Sequence, residues 1–346
     1  MSFDTRSAAF AYLRTYYSAA ALDREDTFLL DATIDGIEHA RRVAVAAGQS
    51  LRCLELGCGP VAAWALCPGA VAGELWLAER SQGGRQVLHE WLTGDREAFD
   101  WSVYAAHVAK RMVELGEARE SHPAVPLCGA DDAGVSSPSR AHAEPGSGAP
   151  SSAAVDTFAD EGSAASVSPG ISEGSHAAGS CGASSGSRSR PLTAADVLAS
   201  TRASVVGLLD CDLRRTPVLT RAEGGAARAG SGSSPPSSFH AVVMHSVADA
   251  ISGTPEEFAA LVSSAARLVA PRGSLLISVN TEVDEWHAEA VAFPQVRLSC
   301  DQVLAAIEGA GLQAVFSRQR SRLPDGKDTE TAHTMVVLAD KPPRAE

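Results

Sequence analysis

Aromatic residues make up only 5% of this 346-residue sequence, and four tyrosines are all it has. Glycine (30) and proline (18) are plentiful beside a 45% hydrophobic content, so a core-forming protein is diluted by small-residue segments. Basic charge is also short. Lys and Arg total 29 against 42 Asp and Glu, a formal charge of −13. With no basic stripe to offset it, that charge repels phosphate backbones and argues against a nucleic-acid partner. No stretch reaches the ~18 consecutive apolar residues of a membrane helix, so no membrane association is expected. The first 17 residues are a charged amphipathic stretch without the apolar core of a secretory signal. The seven cysteines (Cys53, Cys58, Cys67, Cys128, Cys181, Cys211 and Cys300) are odd in number, scattered, and form no C-x-x-C pair. That pattern excludes a disulfide framework and any metal site of that type, and a reduced, cytoplasmic protein is expected.

Composition shifts sharply twice. From 117 to 200 the chain is dominated by Ser, Gly, Ala and Pro, with no sustained apolar periodicity. Such a segment cannot bury enough surface to offset its ordering entropy and reads as a disordered insertion. A shorter flexible loop is expected at 223–238. The flanks together read as one domain within 1–346, expected to be monomeric, with the insertion between the second and third strand units.

Those flanks alternate between two periodicities. Phe10, Leu13 and Tyr17, and then Leu29, Ile34, Ile37 and Val43, recur at helical spacing. Short apolar runs at 51–56, 74–79, 205–212, 240–245, 274–279, 312–317 and 334–338 read as seven strands, with helices at 84–92, 255–269 and 300–310 between them. Strands alternating with helices predict an α/β fold with a doubly wound, mostly parallel seven-stranded sheet.

The first strand ends in Glu55-Leu-Gly57-Cys-Gly59-Pro, and Glu79 ends the second. Glycines there let the backbone approach a ligand at the carboxyl ends of the strands, and the acid is placed to hold both ribose hydroxyls. Taken alone, this pattern suits a nicotinamide dinucleotide and S-adenosylmethionine (SAM) about equally. Glu55, two residues before the first glycine, Asp212 at the end of the third strand and the Pro271-Arg-Gly273 turn follow the pattern of Rossmann-like methyltransferases.

A more specific signal lies at the N-terminus. Tyr12-Leu-Arg-Thr-Tyr16-Tyr17, together with Trp91-Leu92 and Glu97-Ala-Phe-Asp-Trp101-Ser, resembles the family of nicotinamide, phenylethanolamine, indolethylamine and thioether methyltransferases. The resemblance implies a class I methyltransferase fold with an N-terminal helical lid and SAM as cofactor. It implies that Tyr12 contacts cofactor and acceptor as the catalytic position, and that Tyr17 holds the methionine carboxylate. Carried over residue by residue, Gly57 and Gly59 surround the methionine part, Glu79 and Gly84 reach the ribose, and Asp212 and Leu213 flank the adenine. His245 falls where the family lines the cofactor pocket, although a hydrogen-bonded strand-end histidine explains it equally.

The acceptor half matches less well. Ala63 replaces a further cofactor-contacting tyrosine, and Asn280, Glu282 and Trp286 are the residues expected at the acceptor wall. The activity implied is methyl transfer to the nitrogen of a small amine or pyridine-like molecule, with no metal. The alternative is a catalytically weak or inactive SAM-binding relative that acts as an interaction protein or methyl-donor sink.

Overall fold

The structure, a computed structural model, describes residues 3–18, 20–121, 190–215, 217–221, 236–288, 291–321 and 333–343. The chain divides into a folded unit, Met1–Ser121 with Leu192–Glu346, and a segment, His122–Pro191, that lies almost wholly outside the described residues. Every helix and strand among the described residues belongs to the folded unit.

Helix α1 (Arg6–Tyr16) starts at Thr5, whose Oγ1 accepts from Ala8 N, and buries Ala9 and Leu13. Helix α2 (Arg24–Ala46) starts at Asp23, whose Oδ1 accepts from Asp26 N at 2.7 Å, and buries Leu30, Ile34 and Ile37 along one face. Then come β1 (Arg52–Leu56), the short α3 (Leu66–Gly69), β2 (Glu74–Ala78), α4 (Gln82–Thr93) and α5 (Ser102–Ser121). Beyond the insertion lie α6 (Ala194–Ser204), β3 (Val205–Cys211), β4 (Leu219–Arg221), β5 (Phe239–His245), α7 (Ala248–Ile251), α8 (Pro255–Leu268) and β6 (Val269–Thr281). A hairpin of β7 (Glu285–Ala288) and β8 (Val291–Pro294) precedes α9 (Cys300–Gly309), β9 (Gln313–Ser321) and β10 (His333–Asp340).

The main sheet runs β4-β3-β2-β1-β5-β6-β10-β9. Strands β3, β2, β1, β5 and β6 are parallel, and β10 is antiparallel to both its neighbours. The seven expected strands are all present, each within a few residues of its expected bounds. The eighth, β4, is a three-residue antiparallel addition to the β3 edge, too short to show a period of two. Strand order reverses between β1 and β5, which opens a crevice at their carboxyl ends.

The sheet separates two apolar cores, and the pleat sorts residues between them. Cys53, Ala241 and Val243 face the core shared with α2, α4 and α5, whereas Leu54, Val242 and Met244 face the one shared with α8 and α9. The expectation of disorder over 117–200 fails at both ends. Residues 117–121 complete α5 and 194–200 lie in α6. Helix α6 is nucleated by a reciprocal cap in which Thr193 Oγ1 accepts from Asp196 N and Asp196 Oδ2 accepts from Thr193 N. Residues 122–189 of that segment, and most of 223–238, lie outside the described residues. No helix among the described residues is long and apolar enough to cross a membrane. Nor do they hold a group of three or more His, Cys, Asp or Glu arranged for a metal ion. The five described cysteines are free thiols.

Candidate active site

A cleft of roughly 1570 Å³ sits at the carboxyl ends of β1, β2, β3 and β5, with α1 on one side and the β7–β8 hairpin on another. Ten of the twelve residues expected from sequence line it.

The glycine turn has the conformation its residues require. Gly57 (φ +73°) donates to Ala78 O at 2.7 Å, and a Cβ there would stand 2.7 Å from Val247 Cγ1. Gly59 (φ +60°) donates its N–H to Glu79 Oε2 at 2.9 Å. Glu79 Oε1 accepts from Ser81 N at 2.8 Å and from Ser81 Oγ at 2.5 Å, so the carboxylate is pinned at the end of β2 with one lone pair, on Oε2, to spare. Gly84 departs from expectation. It is buried in the first turn of α4 and is not among the lining residues; its N–H donates to Ser81 Oγ as part of the helix cap. Ser81 lines the cleft in its place, and its position as N-cap before Gln82-Gly-Gly was the signal for it.

Glu55 is the residue whose weight sequence reasoning missed. It lies in β1, is 2% exposed and lines the cleft, yet neither carboxylate oxygen has a hydrogen-bond partner among the described residues. Burial alone pushes its carboxyl up to about 8, so it is protonated at neutral pH. Its place two residues before Gly57 was visible in the sequence, but its isolation was not.

On the β3 side, Asp212 Oδ1 accepts from Arg214 N at 3.1 Å and Oδ2 lies 3.1 Å from Arg215 Nε, while Leu213 is buried beside it. His245 is at the cleft wall with both ring nitrogens engaged. Thr33 Oγ1, 3.1 Å from Nε2, already donates to Leu29 O, so Nε2 carries the proton; Nδ1 then accepts from Ser278 Oγ at 3.0 Å. The ring packs 4.9 Å from Trp64, and burial pushes it down to about 3, so it stays neutral. The strand-end hydrogen-bonding role is therefore satisfied in place.

The N-terminal aromatics form one cluster. Tyr12 lies 5.9 Å from Tyr17, 4.8 Å from Tyr16 and 5.0 Å from Phe3, and Tyr17 meets Trp101 at 5.5 Å and Tyr104 at 5.9 Å, ring centroid to centroid. Tyr104 donates its hydroxyl to Asp26 Oδ2 at 2.5 Å. Asp26 lines the cleft, and burial pushes its carboxyl up to about 6, with Asp23 and Glu25 adding to the shift against the Tyr104 hydrogen bond.

The remaining wall comes from the end of β6. Asn280 N donates to Asp249 Oδ2 at 3.0 Å, and its carbonyl accepts from Gln295 Nε2 at 3.1 Å. Glu282 (φ +61°) places Oε2 3.3 Å from Arg297 Nη2. Trp286 lies in β7, and its side chain is outside the described part of the structure.

Solved structures with a similar course of chain include the magnesium protoporphyrin IX methyltransferase of Synechocystis with bound SAM (11% identity, 97% of this chain and 92% of that chain, TM-score 0.38). They also include a SAM-dependent methyltransferase from Clostridium acetobutylicum (6%, 97% and 99%, TM-score 0.40) and the N-methyltransferase NodS from Bradyrhizobium japonicum with S-adenosyl-L-homocysteine (9%, 98% and 99%, TM-score 0.38). No curated protein matches the sequence. The profile of the NNMT/PNMT/TEMT family matches residues 1–122 and 186–341, a span that includes every helix and strand of the folded unit. The chain belongs to the NNMT/PNMT/TEMT family of SAM-dependent methyltransferases.

Proposed function

We propose that this chain transfers a methyl group from SAM to the nitrogen of a small amine or pyridine-like acceptor. The residues at the crevice suit the cofactor. Glu79 keeps an Oε2 lone pair free for a ribose hydroxyl, the Gly57–Gly59 backbone leaves room that side chains would fill, and Asp212 and Leu213 line the side of the cleft that suits an adenine. Tyr17 suits the methionine carboxylate. The Glu55 carboxyl, without a hydrogen-bond partner among the described residues, suits the ammonium of the SAM methionine part, whose positive charge would favour release of the carboxyl proton to solvent and so form a hydrogen-bonded ion pair.

SAM supplies an electrophilic methyl group on a cationic sulfur. The chain's part is to align an acceptor lone pair with that group and to keep water away. Tyr12, at the junction of the aromatic cluster and the cleft, serves as the aligning residue. The observation that carries an amine-type acceptor is the charge of the cleft. Asp23, Glu25 and Asp26 from the start of α2, and Glu282 and Asp284 after β6, all line it. Carboxylates attract a cationic acceptor, and one of them receives the proton released at its nitrogen. Glu282 is tied to Arg297, so Asp26 and Asp284 are the better placed of the five for that proton.

The test pairs calorimetric titration of SAM with a panel of amines, pyridines and thioethers and labelled donor. Methylated amine or pyridine supports the reading. Transfer confined to sulfur overturns it, and tight SAM binding with no product from any acceptor makes the chain a donor-binding relative instead.

A further inference from the structure

One backbone crossing beside the cleft depends on a residue without a side chain. Gly83 lies in the first turn of α4, two residues after the Ser81 that holds Glu79. A Cβ on it would stand 2.3 Å from both the carbonyl carbon and oxygen of Thr5 and 2.4 Å from Phe3 O. These are backbone atoms, which cannot swing aside as a side-chain tip does. The Phe3–Thr5 strap therefore lies against α4 only because position 83 is glycine. The same strap brings Phe3 over the glycine turn, where a Cβ on Gly59 would stand 3.7 Å from Phe3 Cε2, and sets it against Tyr12 at 5.0 Å. Two further contacts fasten α1 along this side. Arg6 Nε donates to both carboxylate oxygens of Glu90, at 2.7 and 2.9 Å, and Phe10 meets Phe99 at 6.3 Å. Neither contact reaches Phe3, so Gly83 is the seat that decides where that ring lies.

We infer that Gly83 is a positioning residue for SAM binding: it seats the Phe3–Thr5 strap on α4, and the seated strap holds Phe3 over Gly59 and Tyr12 as the cover of the donor half of the cleft. The inference rests on the reading of that half as the SAM site. A side chain at 83 lifts the strap while leaving Gly57, Gly59 and Glu79 in place, so it opens the donor to water without removing any group that contacts it.

The experiment uses the full chain as wild type, Gly83→Gln, Phe3→Ala and the double variant, with SAM affinity by calorimetry and amide exchange over residues 3–9 without SAM. The expected result is faster exchange in Gly83→Gln and SAM binding weakened about tenfold in each single variant. The double variant is expected to be no weaker than the worse single one, because both changes remove the same cover. Unchanged exchange in Gly83→Gln overturns the seating itself. Additive losses, or SAM affinity unchanged by Phe3→Ala, overturn the role of the strap as cover, and Phe3→Ala keeps this arm available if Gly83→Gln does not fold. Wild type that fails to bind SAM overturns the reading of the cleft, and with it the inference; the exchange result separates that failure from a failure of the strap to seat.

Discussion

Replacing Glu55 with glutamine exchanges a buried carboxyl for a neutral group of nearly the same shape, and the consequence depends on pH in a calculable way. In the unfolded chain the carboxyl ionises near its ordinary value of 4.5, whereas in the fold burial pushes it up to about 8. Between those values the folded state holds a proton that the unfolded state has released, so stability falls as pH rises across that window and the cost is absent below it. At about 1.36 kcal/mol per pKa unit, the cost is roughly 3 kcal/mol at pH 7 and roughly 1 kcal/mol at pH 5. Glutamine does not titrate. Its own burial cost is the same at both pH values, and the titration of other groups is common to both proteins. The advantage of Glu55→Gln over wild type is therefore expected to grow by about 2 kcal/mol between pH 5 and pH 7. Urea denaturation of both proteins at the two pH values measures this directly. A difference that stays constant to within about 0.5 kcal/mol would refute the reasoning, because it would mean that Glu55 is ionised in the fold or has a partner. The same variant tests the binding role with opposite sign. If ionised Glu55 meets the donor's ammonium, wild-type SAM affinity tightens at least about tenfold from pH 6 to pH 8, while the variant binds weakly and without that slope. Gained stability together with lost affinity is the signature of a group retained for binding.

Three other perturbations act on the same site. Asp26→Asn removes a carboxyl that is ionised above about pH 6, so kcat/KM for cationic acceptors is expected to fall about tenfold at pH 8, with the difference fading as pH drops through 6; matched pH profiles check this. Gly57→Ala puts a Cβ at φ +73° and 2.7 Å from Val247, so a loss of about 1–3 kcal/mol in denaturation and loss of calorimetric SAM binding are expected. His245→Leu takes from the Ser278 hydroxyl its acceptor, while Thr33 keeps Leu29 O, at a cost of about 1–3 kcal/mol. Because the folded imidazole is held down at about 3 against an ordinary 6.5, the unfolded chain binds the extra proton between those values. Wild-type stability gains from this histidine as pH rises from 3 to 6.5, and the variant loses that part of the slope in acid titration of the fold.

What could be read from sequence was what the sheet's repetition dictates. Once β1 and β2 are recognised as neighbouring parallel strands, Gly57 and Glu79 must meet at their carboxyl ends, and the Gly59 N–H to Glu79 hydrogen bond realises that juxtaposition. Phasing within one helix was harder. Gly84 and Gly83 are adjacent, yet the cap at Ser81 turns the Gly84 amide onto the helix start and leaves Gly83 facing the strap, a difference that family position alone does not carry. Helices α5 and α6 were masked by their Ala- and Ser-rich flanks, although Thr193 and Asp196 spell a capping box. Pairs far apart in sequence, such as Asp26 with Tyr104 or Thr33 with His245, leave no periodic trace. Glu55 shows why a motif is less than a site. The sequence pattern places an acid before the first glycine, but its chemistry comes from the absence of a hydrogen-bond partner among the described residues, and an absence is written in no single segment. The ordinary response to a buried polar group is to supply a hydrogen bond from the fold. Here the described residues supply none, at a cost to the fold's stability, and the bond stays open on the side of the cleft that Glu55 lines.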